Sequence, residues 1–337
     1  MKKVAIIFGG VSTEHDVSVV SGMSILKNIN KEKYSIFPVY IDLNGNWYEY
    51  KGKYEAKIEE KISEIYKIEN PFEYLKQVDV IFPVLHGKYG EDGSMQGLFE
   101  CLAIPYVGCG VFASSVGMDK LYAKKIFKDA GIKQAKYCYI QKVKDEYFYI
   151  NNELEEEKMN LEKIEKELGF PMFVKPANSG SSVGISKAKN KKELEKAIEY
   201  AGKFDKKIII EENIVGKEIE CAVLGNDEIQ ASCTGEIIPA EEFYSYEAKY
   251  KNKKSKIQIP SGIKQEEMVR KLAIKAFKAI DGRGLARVDF FVTEEKIYLN
   301  EINTMPGFTN ISMYAKLWEA SGISYVQLVD KLIELAM

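Results

Sequence analysis

Two short runs of apolar residues, each ending in a glycine-rich loop, restrict the fold of this chain more than any other feature. Val4-Ala5-Ile6-Ile7-Phe8 stops at Gly9-Gly10, and the run over 78–85 stops at His86-Gly87-Lys88-Tyr89-Gly90-Glu91-Asp92-Gly93. Such runs have the length of a strand buried on both faces and are too short to cross a bilayer. Between them, Val19, Met23 and Leu26 recur at i, i+4, i+7 and predict a helix, with Thr13 as its N-cap. Strands are expected at Tyr34–Ile41 and Trp47–Tyr50, divided by the turn Asn44-Gly45-Asn46. Strand and helix signals alternating with glycine loops predict an open, largely parallel α/β sheet in the first third of the chain. No G-x-G-x-x-G occurs there, which argues against a dinucleotide site.

Further along, a lysine- and glutamate-rich stretch over 151–167 predicts a solvated helix. Strands are expected at 170–176, Lys207–Glu212, 218–224, 228–237, 286–293 and 296–300. A helix over 264–280 places Val269, Leu272, Ala273, Ala276 and Ile280 on one face. The last helix buries Tyr325, Leu328, Val329 and Leu332.

A length of 337 residues suffices for two or three domains. The net charge of -2 gives no basic field for nucleic acid or an anionic membrane. Met1-Lys2-Lys3 precedes the first apolar run, but that run is shorter than a signal peptide requires. Five cysteines, with no C-x-x-C pair, read as unpaired thiols of a reducing cytoplasm. Lys and Arg total 48, yet arginine stands only at Arg270, Arg283 and Arg287. A chain this dependent on lysine is expected to keep arginine where its planar fork of donors matters.

Three segments bear residues suited to chemistry. Asn178-Ser179-Gly180-Ser181-Ser182-Val183-Gly184 follows Val174-Lys175-Pro176, so small residues and hydroxyls beside a lysine offer a phosphate cradle. On its own a Gly/Ser turn is more often a plain hairpin, and no Walker A loop is present. Asp289 and Glu301 fall on neighbouring candidate strands, with Asn303 two residues on and facing the same way. Two carboxylates and an amide make a hard oxygen set suited to Mg²⁺ or Mn²⁺, whereas either carboxylate alone would read as a surface charge. The stretch Glu242-Phe243-Tyr244-Ser245-Tyr246-Glu247-Ala248-Lys249-Tyr250 lacks periodicity and predicts a long functional loop, such as a lid.

Taken together, FGGVSTEHDVS (8–18), FPVLHGKYGEDG (82–93), MDK (118–120), FVKPANSGSSVG (173–184), FYSYEAKY (243–250), ARVDF (286–290) and NEINTMPGF (300–308) closely resemble the D-alanine–D-alanine ligases of the ATP-grasp superfamily. The resemblance implies an N-terminal open α/β substrate domain over 1–108, followed by a two-lobed ATP-grasp fold. Its central lobe would span 109–211, and its C-terminal lobe, carrying the lid and metal site, 212–337.

It also implies a cytoplasmic, homodimeric enzyme that joins two D-alanines for peptidoglycan precursor synthesis through an acyl phosphate. By motif position, Lys120, Lys175 and Lys249 would contact ATP phosphates. Glu211, Glu212 and Ile214 would hold adenine, and Glu218 the ribose. Asp289, Glu301 and Asn303 would bind two Mg²⁺ or Mn²⁺ ions. Glu14 would receive the ammonium of the first D-alanine, with His86 nearby, while Ser312 and Gly307 would receive the carboxylate of the second. Arg287 and the Gly307 N–H would stabilise the oxyanion, and Glu14, Ser181 and Tyr250 would form a hydrogen-bonded triad closing the lid. The alternative within the family is a D-alanine–D-serine or D-alanine–D-lactate ligase. Tyr250 argues against lactate, since lactate-selective relatives tend to carry His there.

Overall fold

The computed structural model describes residues 1–55, 62–239, 256–309 and 311–337. Its first sheet has five strands, in the order Ile65–Lys67, Trp47–Tyr50, Tyr34–Ile41, Lys2–Gly9, Val80–Val84. Lys2–Gly9 runs parallel to both neighbours, with Val4 opposite Ile36 on one side and Val80 on the other. Its apolar run is continuous because both faces are covered. Val4, Ile6 and Phe8 enter one core, while Ala5 and Ile7 enter another. The parallel expectation holds for Tyr34–Ile41, Lys2–Gly9 and Val80–Val84. Trp47–Tyr50 and Ile65–Lys67 extend the sheet antiparallel, the first of them because the short turn Asn44-Gly45-Asn46 can only reverse the chain.

Helix His15–Asn28 lies on this sheet and buries Val19, Met23 and Leu26 as expected. The N-cap is Glu14 and not Thr13, which is exposed. Ser12 organises this turn instead: its hydroxyl accepts from Glu14 N–H at 3.1 Å and donates to the His86 carbonyl at 2.6 Å.

Two antiparallel sheets follow. The six-stranded sheet has the order Ser186–Ala188, Met172–Pro176, Lys207–Glu212, Tyr137–Val143, Glu146–Ile150, Glu156–Lys158. The five-stranded sheet has the order Lys256–Gln258, Gln230–Ile238, Lys217–Gly225, Gly284–Val292, Ile297–Asn303. The expected helix over 151–167 is corrected. Asn151 accepts from Glu153 N–H and Glu155 N–H to make a turn, Glu156–Lys158 pairs as an edge strand, and only Leu161–Leu168 is helical. Asn160 sets that start, its side chain accepting from Lys163 N–H at 3.0 Å.

Helices Val111–Met118 and Lys120–Asp129 bury Ala113, Val116, Ala123 and Phe127 against the five-stranded sheet, beneath Ile219, Val288 and Phe290. Helices Met313–Ala320 and Tyr325–Ala336 pack between that sheet and the first one. Phe8, Phe82, Phe308, Tyr314, Leu328 and Leu332 share a single core.

The approach of the first helix to its sheet is limited by Gly22. A Cβ there would lie 2.5 Å from Phe8 Cβ and 2.6 Å from its Cγ. Replacing glycine by alanine inside a helix gains about 1 kcal/mol of propensity. Overpacking against a buried ring costs about 1–3 kcal/mol and is expected to win here. Gly22→Ala should therefore lower the urea midpoint of unfolding, and a raised midpoint would show that the helix moves away without cost.

Candidate active site

A cavity of about 350 Å³ opens where these elements meet. Glu14, His86, Lys120, Ser181, Arg287, Glu301, Asn303, Gly307 and Ser312, all singled out from the sequence, line it. Glu14 is buried at the N-terminus of the first helix, where the helix dipole favours its negative charge. Its Oε1 accepts a hydrogen bond from the Ser181 hydroxyl. Gly87 and Gly180 permit this approach, since a Cβ on either would stand 2.8 or 2.7 Å from Glu14 Oε2. Ser181 and Ser182 have φ of 49° and 61°, the left-handed region that L-residues enter at a cost of roughly 1–2 kcal/mol each. A strained turn holding a hydroxyl on a buried carboxylate is typical of functional sites.

His86 is buried, with Nδ1 3.0 Å from the Met305 carbonyl and Nε2 3.0 Å from Ser21 Oγ. A neutral ring donating from Nδ1 and accepting at Nε2 satisfies both contacts. Burial pulls its pKa down to about 4, so it is uncharged at neutral pH. Glu91, in the same glycine loop, accepts from Gly87 N–H at 3.1 Å and also lines the cavity. Burial first, and then the charge of Glu14, pushes its carboxyl well above the ordinary range.

The far wall is built by strand register. Asp289 stands opposite Glu301, and Arg287 opposite Asn303. The register then slips, so that Phe290 faces Leu299 and Asn300 is the extra residue of a bulge. Asn300 Oδ1 accepts from Lys175 at 3.3 Å, which ties the two antiparallel sheets together at this point. Arg287 grips Asp289 with both arms of its fork, Nε to Oδ1 at 2.8 Å and an Nη to Oδ2 at 2.7 Å. Glu220 Oε2 lies 2.9 Å from the same Nε. Lys120 donates to the Ser179 carbonyl at 2.8 Å and sits 3.4 Å from Glu301 Oε2.

Beside this cavity lies a second charged group. Glu211 is buried between two ammonium groups, Lys124 and Lys175, each 2.5 Å from one of its oxygens. Burial alone would raise its pKa, but the two lysines outweigh that and bring it down to about 2. Lys124 makes this contact at ion-pair distance without a well-directed hydrogen bond. The nearby Glu218 helps to hold the Lys175 ammonium charged against burial, to which Glu211 contributes most. Glu212 accepts from Lys136 N–H at 2.8 Å, and Ile214 is half-buried in the loop after that strand.

Gly307 and Ser312 adjoin, a Cβ on the glycine falling 3.3 Å from Ser312 Oγ. That hydroxyl is held by Thr309, whose N–H donates to it at 3.0 Å. Lys249, Tyr250 and the expected lid lie outside the described residues.

Glu91, Lys124 and Glu220 stand at these sites and have no role assigned from the sequence. Glu220 had a usable signal, a charge amid the apolar Ile219, Cys221, Ala222 and Val223. Lys124 follows Lys120 by one helical turn, but lysine is too common in this chain for that to stand out.

Among its lining residues the cavity carries Glu14, Glu220 and Glu301 against Lys120 and Arg287, an acidic excess that suits ammonium groups and a metal cation. Asp289, Glu301 and Asn303 fit a hard divalent ion by donor type and by register. Among the described residues no three His, Cys, Asp or Glu side chains are grouped to hold a metal ion, and Asp289 is turned to Arg287.

Comparison with known proteins accords with this arrangement. Residues 3–109 match the family described as D-ala D-ala ligase N-terminus, and residues 126–334 match D-ala D-ala ligase C-terminus. The D-alanine–D-alanine ligase of Acetivibrio thermocellus is 50% identical, the match covering 100% of this chain and 96% of the relative. The VanG D-Ala:D-Ser ligase structure from Enterococcus faecalis is 38% identical with a TM-score of 0.86, covering 100% of this chain and 99% of that one. The D-alanine–D-alanine ligase structure from Bacillus anthracis complexed with ATP is 30% identical with a TM-score of 0.78, covering 100% and 97%. With both family segments in order along the chain and a relative half identical over its whole length, this protein belongs to the D-alanine–D-alanine ligase family and has its ATP-grasp fold.

Proposed function

We propose that this chain joins two D-alanine molecules into D-alanyl-D-alanine at the expense of ATP, for peptidoglycan precursor synthesis. One observation carries the assignment of the site. A single cavity is lined by Glu14, Arg287, Lys120, Gly307 and Ser312, which suits them to serve as ammonium acceptor, oxyanion donor, phosphate-binding cation and carboxylate cradle. In the proposed division 1–108, 109–211 and 212–337, these residues come from all three parts.

A carboxylate is a poor acylating agent and must first be activated. Glu14, fixed by Ser181, receives the ammonium of the first D-alanine, whose carboxylate attacks the γ-phosphorus of ATP to give an acyl phosphate and ADP. Lys120 and Lys175 offset the charge on the phosphates. Asp289, Glu301 and Asn303 would hold a divalent cation, taken as Mg²⁺ or Mn²⁺ and as two ions in the full site, which would supply positive charge against the charge that develops on transfer. The second D-alanine, its carboxylate held at Ser312 and Gly307, attacks the acyl carbon with its neutral amine. Arg287 and the Gly307 N–H stabilise the tetrahedral oxyanion before phosphate leaves. Adenine and ribose are assigned to Glu211, Glu212, Ile214 and Glu218, and lid contacts to Lys249 and Tyr250. The five cysteines are free, in keeping with a reducing cytoplasm. The homodimer is carried by the resemblance alone.

The D-serine alternative takes its support from the VanG likeness, and substrate choice separates the two. Phosphate release with ATP plus D-alanine, D-serine or D-lactate, with products weighed by mass spectrometry, should yield the D-alanine dipeptide as the main product. A predominant D-alanyl-D-serine product would overturn the reading.

Arg287 should resist replacement by lysine, the chain's usual cation. Losing one directed oxyanion donor costs about 3 kcal/mol, roughly a hundredfold in rate. Arg287→Lys is expected to slow dipeptide formation on that scale with ATP affinity little changed, and wild-type turnover would reduce Arg287 to an ion-pair partner of Asp289.

Glu301→Gln should reduce turnover far more than it weakens adenine nucleotide binding. Near-normal turnover of that variant at saturating Mg²⁺ would remove Glu301 from the metal set.

A further inference from the structure

Three carboxylates stand side by side across the five-stranded sheet. Glu220 is the register partner of Asp289 on one side, and Glu301 is its partner on the other. Directly opposed side chains sit about 5 Å apart, and like charges in that position repel. The row therefore needs cations. Arg287 supplies one, lying against both Glu220 and Asp289, and Lys120 supplies a weaker contact to Glu301 at 3.4 Å.

Asp289 is asked to do two things. Here both of its oxygens accept from Arg287. As a cation ligand it must turn at least one of them away, and a buried guanidinium that loses a partner is costly. Glu220 is placed to take up that loss. It is itself buried, its Oε2 is already 2.9 Å from Arg287 Nε, and the Nε hydrogen now goes to Asp289.

We infer that Glu220 is a positioning residue that holds Arg287 in place when Asp289 turns to the cation, so that metal binding and oxyanion stabilisation do not compete for one carboxylate. The inference rests on the cation site proposed above. Glu220 acts through Arg287 and does not itself bind the cation. With Asp289 given to the cation, the row divides into a Glu220–Arg287 pair and an Asp289–cation–Glu301 bridge, and each carboxylate keeps a counter-charge.

The test is Mn²⁺ binding to the full chain saturated with ADP, with free Mn²⁺ read by electron paramagnetic resonance. Outer-shell partners of a metal ligand are typically worth 10–100-fold in affinity, so Glu220→Met should weaken Mn²⁺ by about tenfold. Glu220→Gln, which keeps an acceptor oxygen but not the charge, should recover part of that loss. In an Arg287→Met background the Glu220→Met effect should shrink to about twofold or less, since a coupling that passes through Arg287 vanishes with it. In turnover, Glu220→Met should lower kcat by about tenfold and leave KM for ATP within about twofold. Equal Mn²⁺ shifts in both backgrounds, or a Gln variant no better than Met, would mean that Glu220 contributes only bulk negative charge and would overturn the inference. Asp289→Asn serves as the control. If it binds Mn²⁺ as the wild type does, the cation site itself is misassigned and the inference falls with it.

Discussion

The architecture depends on one strand that from Val4 onward has no solvent face. Because successive side chains of Lys2–Gly9 point to opposite sides, Val4, Ile6 and Phe8 join a core completed by the C-terminal helices, while Ala5 and Ile7 join a second core behind. Chain start and chain end are thus bound into one apolar mass. The turn that follows the strand then has a single available position, and it delivers Glu14 to a cavity shared with His86, Lys120 and Arg287, where it meets Ser181, 167 positions away. The glycines at 87 and 180 matter for the same reason, as the backbone must come within reach of a carboxylate with nothing in between.

Within the site, charge compensation organises the rest. Glu211 is matched to lysines of a helix and of a strand, Asp289 and Glu220 to one arginine, and the half-buried Glu301 to Lys120. Exposed pairs of this kind contribute little, but a buried ion left alone costs several kcal/mol. The pairs therefore act less as a source of stability than as a demand on geometry, since the sheets and helices must meet where every charge is met.

Much of this was legible in the sequence because it is written in local periodicity. The buried first strand, the Trp47–Tyr50 strand and the placing of Asp289 and Glu301 on neighbouring strands follow from apolar runs, turn residues and two-residue spacing. What escaped depends on register between strands that are distant in sequence. Glu220 sits in a strand that was expected, yet its place beside Asp289 is fixed only when Lys217–Gly225 aligns with Gly284–Val292. The helix over 151–167 was misread because lysine and glutamate report solvent exposure, not helix. The capping side chain of Asn160 and the turn at Asn151 decided the outcome locally. Thr13 lost the cap of the first helix to a neighbour because Ser12, one residue earlier, was already tied to the His86 loop.

The clamp on Glu211 also bears on acid tolerance. Its carboxyl releases its proton at about 2 in the fold, against an ordinary value of 4.5 once the chain opens. The unfolded chain therefore binds the proton first as the solution is acidified. The stabilisation from this group is complete above 4.5, drains as the pH falls between those two values, and is gone below the lower one. Across the neutral range neither lysine loses its counter-ion.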